Sequence, residues 1–161
     1  MKTMTAHIRL LVLLFLVGVS MTASAQKHRW FESLDIVDCH KEGMTQKVVT
    51  SVAGEKVAKY HFNLFRSVEG TATPKAFQYI EHCLAEDEKV AIDKEIRRVN
   101  GETRFALLRF RHPDTIKLYE NEKFLENVCY ILYQRKDSKN FTCVYIEGTA
   151  TIEQLRKMFC K

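Results

Sequence analysis

Asp38-Cys39-His40 and His82-Cys83 are two places where this 161-residue chain sets a thiol beside an imidazole. A thiolate activated by histidine is a nucleophile, and Cys, His and Asp are all zinc ligands. Adjacent residues, however, point to opposite faces of a strand and sit about 100° apart on a helix. Each pair by itself is therefore a poor chelator. The chain contains no C-x-x-C, no G-x-S-x-G, no H-E-x-x-H and no glycine-rich phosphate loop. No catalytic residue, metal ligand or cofactor is assigned on these grounds, and the chain reads as non-enzymatic. The competing reading is a thiol- or metal-dependent enzyme built on Cys39/His40 or His82/Cys83.

Positive charge is gathered elsewhere. Residues 94–112 carry Lys94, Arg97, Arg98, Arg104, Arg109 and Arg111 against Glu95 and Glu102, a net +4. Asn100-Gly101 lies at their centre, and Asn-Gly between β-rich runs is the strongest short hairpin signal. A two-residue turn there sets Val99 opposite Glu102, Arg97 opposite Arg104 and Ile96 opposite Phe105. Like charges face to face weaken a strand pair unless solvent or an anion lies between them. Arg97, Arg98, Arg104, Arg109 and Arg111 are thus candidate ligands for a phosphate, sulfate or carboxylate on an anionic lipid, a glycan or an acidic protein. An ordinary solvated strand face, with guanidiniums lying along the sheet, explains the same residues and is the plainer reading.

Such a hairpin needs a sheet around it. Residues 46–52 and 57–68 read as strands joined through Ala53-Gly54-Glu55, the second carrying Tyr60, Phe62 and Leu64 in alternation. Residues 128–134 and 141–147 flank Asp137-Ser138-Lys139-Asn140 as another hairpin. The pentamer Glu69-Gly70-Thr71-Ala72-Thr73 returns as Glu147-Gly148-Thr149-Ala150-Thr151, 78 residues later. Each copy follows a β-rich run and precedes an amphipathic helix. One helix carries Phe77, Ile80, Cys83 and Leu84; the other carries Ile152, Leu155, Met158 and Phe159 at the same spacing. Thr151 with Gln154 forms a capping-box pattern, and Thr73 precedes a proline suited to the first helical position. Capping accounts for these threonines without an anion at the helix start. On the first helix His82 falls opposite the apolar stripe and Cys83 at its edge, predicting an exposed histidine beside a core cysteine. The fold class is α+β: an antiparallel sheet of about six strands in the order ββα-ββ-ββα, with two amphipathic helices covering one face. A degenerate ββα repeat spanning 46–86 and 127–160 is compatible with this order. Residues 27–43 and 113–126 are assigned nothing firmer than a short helix.

Composition narrows the class. With 46% hydrophobic and 28% charged residues, this length describes one soluble globular domain. Residues 1–25 have the form of a secretory signal: Lys2 and Arg9, an uncharged apolar run over 10–19, then Ala23-Ser24-Ala25 before Gln26. That run is about half the roughly twenty residues a membrane-spanning helix needs, which favours a cleaved signal over an uncleaved N-terminal anchor, and the mature chain, 26–161, is expected to have no transmembrane helix. Losing Lys2 and Arg9 leaves 23 Lys+Arg against 20 Asp+Glu, so the net charge falls from +5 to +3. Such mild basicity is no argument for nucleic acid. Cys39, Cys83, Cys129, Cys143 and Cys160 all survive processing. In an oxidising compartment they allow two disulfides with one thiol over; small buried hydrophobes are an equal reading.

The Ala-Ser-Ala-Gln junction, the small α+β domain and the strand Val144-Tyr145-Ile146-Glu147-Gly148 leading into Thr151-Ile152-Glu153-Gln154-Leu155 resemble small signal-peptide-bearing Gram-negative envelope proteins of unknown function. The resemblance implies a periplasmic or secreted location and carries over no catalytic residue. The expected function is an exported, non-enzymatic binding or accessory module acting through a sheet face or edge. The alternatives are the thiol or metal enzyme and a structural, oligomer-forming envelope protein that uses an exposed sheet edge.

Overall fold

Asn100 and Gly101 take the turn their identities predict. In a computed structural model, which describes residues 31–112, 118–120 and 123–159, both have positive φ, 52° and 81°. This is the two-residue hairpin turn whose twist matches its flanking strands. In chain order the elements are α1 (Leu34–Asp38), β1 (Met44–Ala53), α2 (Glu55–Ala58), β2 (Phe62–Ala72), α3 (Pro74–Val90), β3 (Asp93–Val99) and β4 (Glu102–Arg111). There follow β5 (Leu118–Glu120), β6 (Lys123–Leu125), β7 (Val128–Arg135), β8 (Asn140–Gly148) and α4 (Ile152–Phe159). The six long strands form one antiparallel sheet in the order β1-β2-β8-β7-β4-β3, and β5 pairs with β6 separately. The expected α+β class and strand count hold. Residues 1–25, read above as having the form of a secretory signal, and Cys160 lie outside the described residues.

Two departures matter for function. The first concerns the helices, which cover opposite faces of the sheet rather than one. Phe77, Ile80, Cys83 and Leu84 of α3 pack with Val68, Leu108, Ile131 and Tyr133, whereas Ile152 and Leu155 of α4 pack with Leu107, Leu132, Val144 and Ile146. The cause is register. Val68 pairs with Cys143 and Ile146 with Phe65 across β2 and β8, so equivalent positions of the two pentamer copies point to opposite sides. A slip of one residue would have put both helices on the same side. A two-fold axis exchanging the hairpins β1-β2 and β7-β8 would also leave the helices on one face, and the fold lacks that symmetry.

The second departure concerns residues 57–68, whose first part is not strand. Gly54 has φ 70°, Glu55–Ala58 turn as α2, and His61 at φ 62° reverses the chain into β2. Val57 is buried from a helical turn, not from a strand, and Tyr60 is exposed.

The repeated pentamer has a local explanation in both copies. Thr73 Oγ1 accepts the Ala76 N–H at 3.2 Å, capping α3. At α4 the capping box forms: Thr151 N–H donates to Gln154 Oε1 at 2.7 Å, and Gln154 N–H to Thr151 Oγ1 at 3.3 Å. A side chain at Gly148 would run into the His61 carbonyl oxygen, which itself accepts the N–H groups of Thr149 and Ala150 at 2.9 and 3.2 Å. At Gly70 a Cβ would stand 2.8 Å from the Thr45 carbonyl oxygen. The glycines are set by close backbone approach, the threonines by capping.

Candidate anion-binding cleft

The arginine hairpin is paired differently from the simple ladder. Val99 opposes Glu102 and Arg98 opposes Thr103, but Arg97 then opposes Phe105 and Ile96 opposes Ala106. Arg104 is the extra residue of a bulge, so it is not placed opposite Arg97. The bulge removes the like-charge pair that a straight two-residue hairpin would impose. Arg97 instead lays its guanidinium carbon 4.4 Å from the centroid of the Phe105 ring, a cation–π contact.

This geometry divides the five candidate arginines. Arg97 and Arg104 line one cleft of about 450 Å³ with Val99, Phe105, Arg135 and Phe159. Arg98 turns to the other face of the sheet, where it donates to Glu88 Oε2 of α3 at 2.7 Å. Arg109 and Arg111 sit roughly 17 Å or more further along β4 at about 3.3 Å per residue, both beside Glu126 at 3.8 and 3.1 Å. Alternation across a strand and distance along it keep these three out of the cleft.

Two carboxylates stand among the cleft's cations, and each is shared. Glu102 bridges Arg104 at 2.9 Å and Arg135 at 3.2 Å. Glu95 bridges Arg97 at 3.6 Å and Arg156 at 3.0 Å. Four guanidiniums against these two carboxylates and Glu153, which lies near Arg156, leave the cleft a net positive charge. Side-chain exposure falls from 61% at Arg97 to 36% at Arg104 and 9% at Arg135. Arg135 was not singled out from sequence because nothing in residues 128–135 marks it. It is the residue packed most deeply, 3.9 Å over the Phe77 ring. It contacts Glu102, which in turn contacts Arg104.

The cleft's apolar wall comes from α4. Only Ile152 and Leu155 of its stripe are buried; Met158 and Phe159 remain more than a third exposed. Phe159 stacks on Phe65 at 6.4 Å and 13°. The helix overhangs the sheet, and its end supplies an exposed aromatic ring beside the arginines.

The thiol–histidine pairs do not assemble. Cys39 adopts a left-handed conformation and its Sγ–H faces the Ile36 carbonyl at 3.5 Å, while His40 lies 3.9 Å from Asp35. Asp38 is held by Arg66 at 2.6 Å. His82 is exposed and Cys83 is in the core, as the helical spacing predicts. Burial pushes the Cys39 and Cys83 thiols up to about 11 and the Cys129 thiol up to about 12. Among the described residues no group of three His, Cys, Asp or Glu side chains could hold a metal ion, and Cys39, Cys83, Cys129 and Cys143 are unbridged.

One polar cluster escaped the sequence reading. Tyr145 Oη donates to Glu147 Oε1 at 2.5 Å and lies 3.5 Å from Cys129 Sγ, while His112 Nε2 is 3.7 Å from Glu147 Oε2. Phe31 closes over it, stacked on Phe110 at 4.4 Å and tilted on Tyr145 at 5.8 Å. The available signal was a glutamate two residues beyond Tyr145 on the same strand face. Burial keeps both the thiol and the phenol protonated, so this cluster has no ready nucleophile at neutral pH.

A family described as of unknown function (DUF6108) matches residues 19–159. The chain belongs to that family. No curated protein matches it. What this DUF6108 domain offers chemically is a cationic cleft with an aromatic wall: two partly exposed guanidiniums for an anion and a ring surface for whatever carries it. Among the described residues no helix is long and apolar enough to cross a membrane.

Proposed function

We propose that this protein is an exported, non-enzymatic binding or accessory module of the cell envelope, and that it takes an anionic, partly apolar ligand in the cleft between the β3-β4 hairpin and α4. The observation that carries this reading is the placement of Arg97 and Arg104 beside Phe159, with four guanidiniums sharing two carboxylates. A surplus of fixed cations next to an exposed aromatic wall suits a phosphate or carboxylate with an apolar body. The secretory form of residues 1–25 supports export to the periplasm or beyond. The thiol or metal enzyme draws no support from the geometry, because neither Cys/His pair converges on a common point.

The test is binding to vesicles of anionic phospholipid and to a soluble alkyl phosphate, each at low and high salt. The wild type binds both at low salt and weakens as salt rises. Arg97→Glu with Arg104→Glu reverses two charges and lowers affinity at least tenfold, about 1.4 kcal/mol. Absence of wild-type binding at low salt removes the proposal. Binding to vesicles alone would point to a membrane surface, and binding to both to the phosphate group itself.

A further inference from the structure

The two edges of the six-stranded sheet are unlike. β3 carries Asp93, Lys94, Glu95, Arg97 and Arg98 in seven residues, and Lys94, Arg98 and Glu95 are tied by ion pairs to α3 and α4. Charges of this density keep an edge from pairing with another chain. β1, at the other edge, reads Met-Thr-Gln-Lys-Val-Val-Thr-Ser-Val-Ala, is ten residues long and has residues 45–51 exposed without interruption. Val48 and Val49 are 54% and 50% exposed. Its one charge does not guard the edge: Lys47 is the bulged residue against β2, and its ammonium reaches inward across the sheet to Asn140 Oδ1 at 2.7 Å. From Val48 to the end of the strand there is no charge and no proline. An exposed edge whose last six residues are uncharged is a template for an added strand.

We infer that β1 pairs with β1 of a second copy of this chain, antiparallel about a two-fold axis at Thr50, joining two sheets into one. An isologous pair about an axis normal to the sheet must match residues of the same face, so the partners' numbers sum to an even value. With the axis at Thr50 the sequence meets itself favourably. Val48 faces the partner's Val52, Val49 faces the partner's Ser51, and Thr50 faces the partner's Thr50. Val–Val and Thr–Thr are among the pairs that stabilise neighbouring antiparallel strands. Lys47 falls opposite the partner's Ala53 rather than another lysine, with the partner's Glu55 two residues further on the diagonal. The near-palindrome Val-Val-Thr-Ser-Val is what selects a second copy over an unrelated peptide, which would have no reason to match it.

The experiment is sedimentation or light scattering of the purified protein over a wide concentration range. The wild type shows a concentration-dependent monomer–dimer equilibrium. Thr50→Lys and Thr50→Glu each bring like charges together on the axis and raise the dimer Kd at least tenfold, with circular dichroism unchanged. Mixing the two variants restores association, because lysine then faces glutamate. Thr50→Cys cross-links to its own copy under mild oxidation beyond the wild-type background, since directly opposed Cα atoms in such a pair lie within disulfide reach. Val49→Cys alone does not, but cross-links when mixed with Ser51→Cys. A monomer at every concentration overturns the inference. So does a dimer indifferent to both Thr50 charges, or Val49→Cys cross-linking to itself as readily as Thr50→Cys.

Discussion

Gly148 and Asp137 show how single residues carry consequences that composition hides. Gly148→Ala would force a methyl group into the His61 carbonyl and the Phe62 backbone, and overpacking of this kind costs about 1–3 kcal/mol. Thr151→Ala, which removes only the α4 cap, costs about 1 kcal/mol. Urea denaturation of the two variants side by side should rank them in that order. Asp137 accepts the Lys139 and Asn140 N–H groups at 2.7 and 2.8 Å, and these backbone bonds hold its carboxyl down to about 2. A depressed folded pKa means support that is present above the ordinary carboxylate value and lost as pH falls through about 2. The amide shifts of Lys139 and Asn140 should therefore titrate with a midpoint near that value, not near 3.8. Burial acts on Asp87 in the opposite sense, raising its pKa. The native state then binds the proton more readily than the unfolded chain, so stability falls as pH rises through the interval above 3.8. Asp87→Asn should flatten that part of the stability–pH profile.

At the scale of elements, α1 and the segment before it are held by α3 rather than by their own caps. Ser33 makes no side-chain cap bond to α1. Instead Asp87 near the end of α3 accepts the N–H groups of Glu32 and Ser33, both at 2.7 Å. Asp87→Ala strands the buried Ser33 donor and frees the part-buried one of Glu32, and should cost about 1–3 kcal/mol. Amide exchange at Glu32 and Ser33 should accelerate well before the sheet opens. Other elements were legible in advance. Asn100-Gly101, the 3.6-residue spacing of Phe77, Ile80 and Leu84, and the Thr151/Gln154 box each act within one turn or hairpin, so sequence patterns find them. The bulge at Arg104 and the odd register between β2 and β8 were not legible. Both are fixed by how distant strands fit together, and no neighbouring residue announces them. The same holds for Arg135 and Glu102, whose contact depends on β4 lying beside β7. Hence the hairpin with its arginines could be read from sequence, whereas the division of those arginines between two faces and two ends could not.

Among the described residues the central strands β4, β7 and β8 are buried on both faces, and the thiols report on that. Cys83, Cys129 and Cys143 lie within the layer between the sheet and α3 and are fully buried. With the Cys83 thiol pushed up to about 11, only about one molecule in a thousand carries its thiolate at pH 8. A thiol reagent at that pH should leave these three cysteines unmodified in the native protein and label all of them in urea. The strand order has another consequence. β2 has its neighbours at opposite ends of the chain: β1 beside it in sequence, and β8, whose pairs Thr71–Asn140 and Phe62–Gly148 are 69 and 86 residues apart. At synthesis rates of 5–20 residues per second, the first hairpin waits roughly 4–17 s for the strand that completes it. Until then the centre of the finished sheet is an open edge, and α3 has only part of the surface it must bury. The order of the strands thus works as a timer: the centre of the sheet cannot close until the last hairpin arrives.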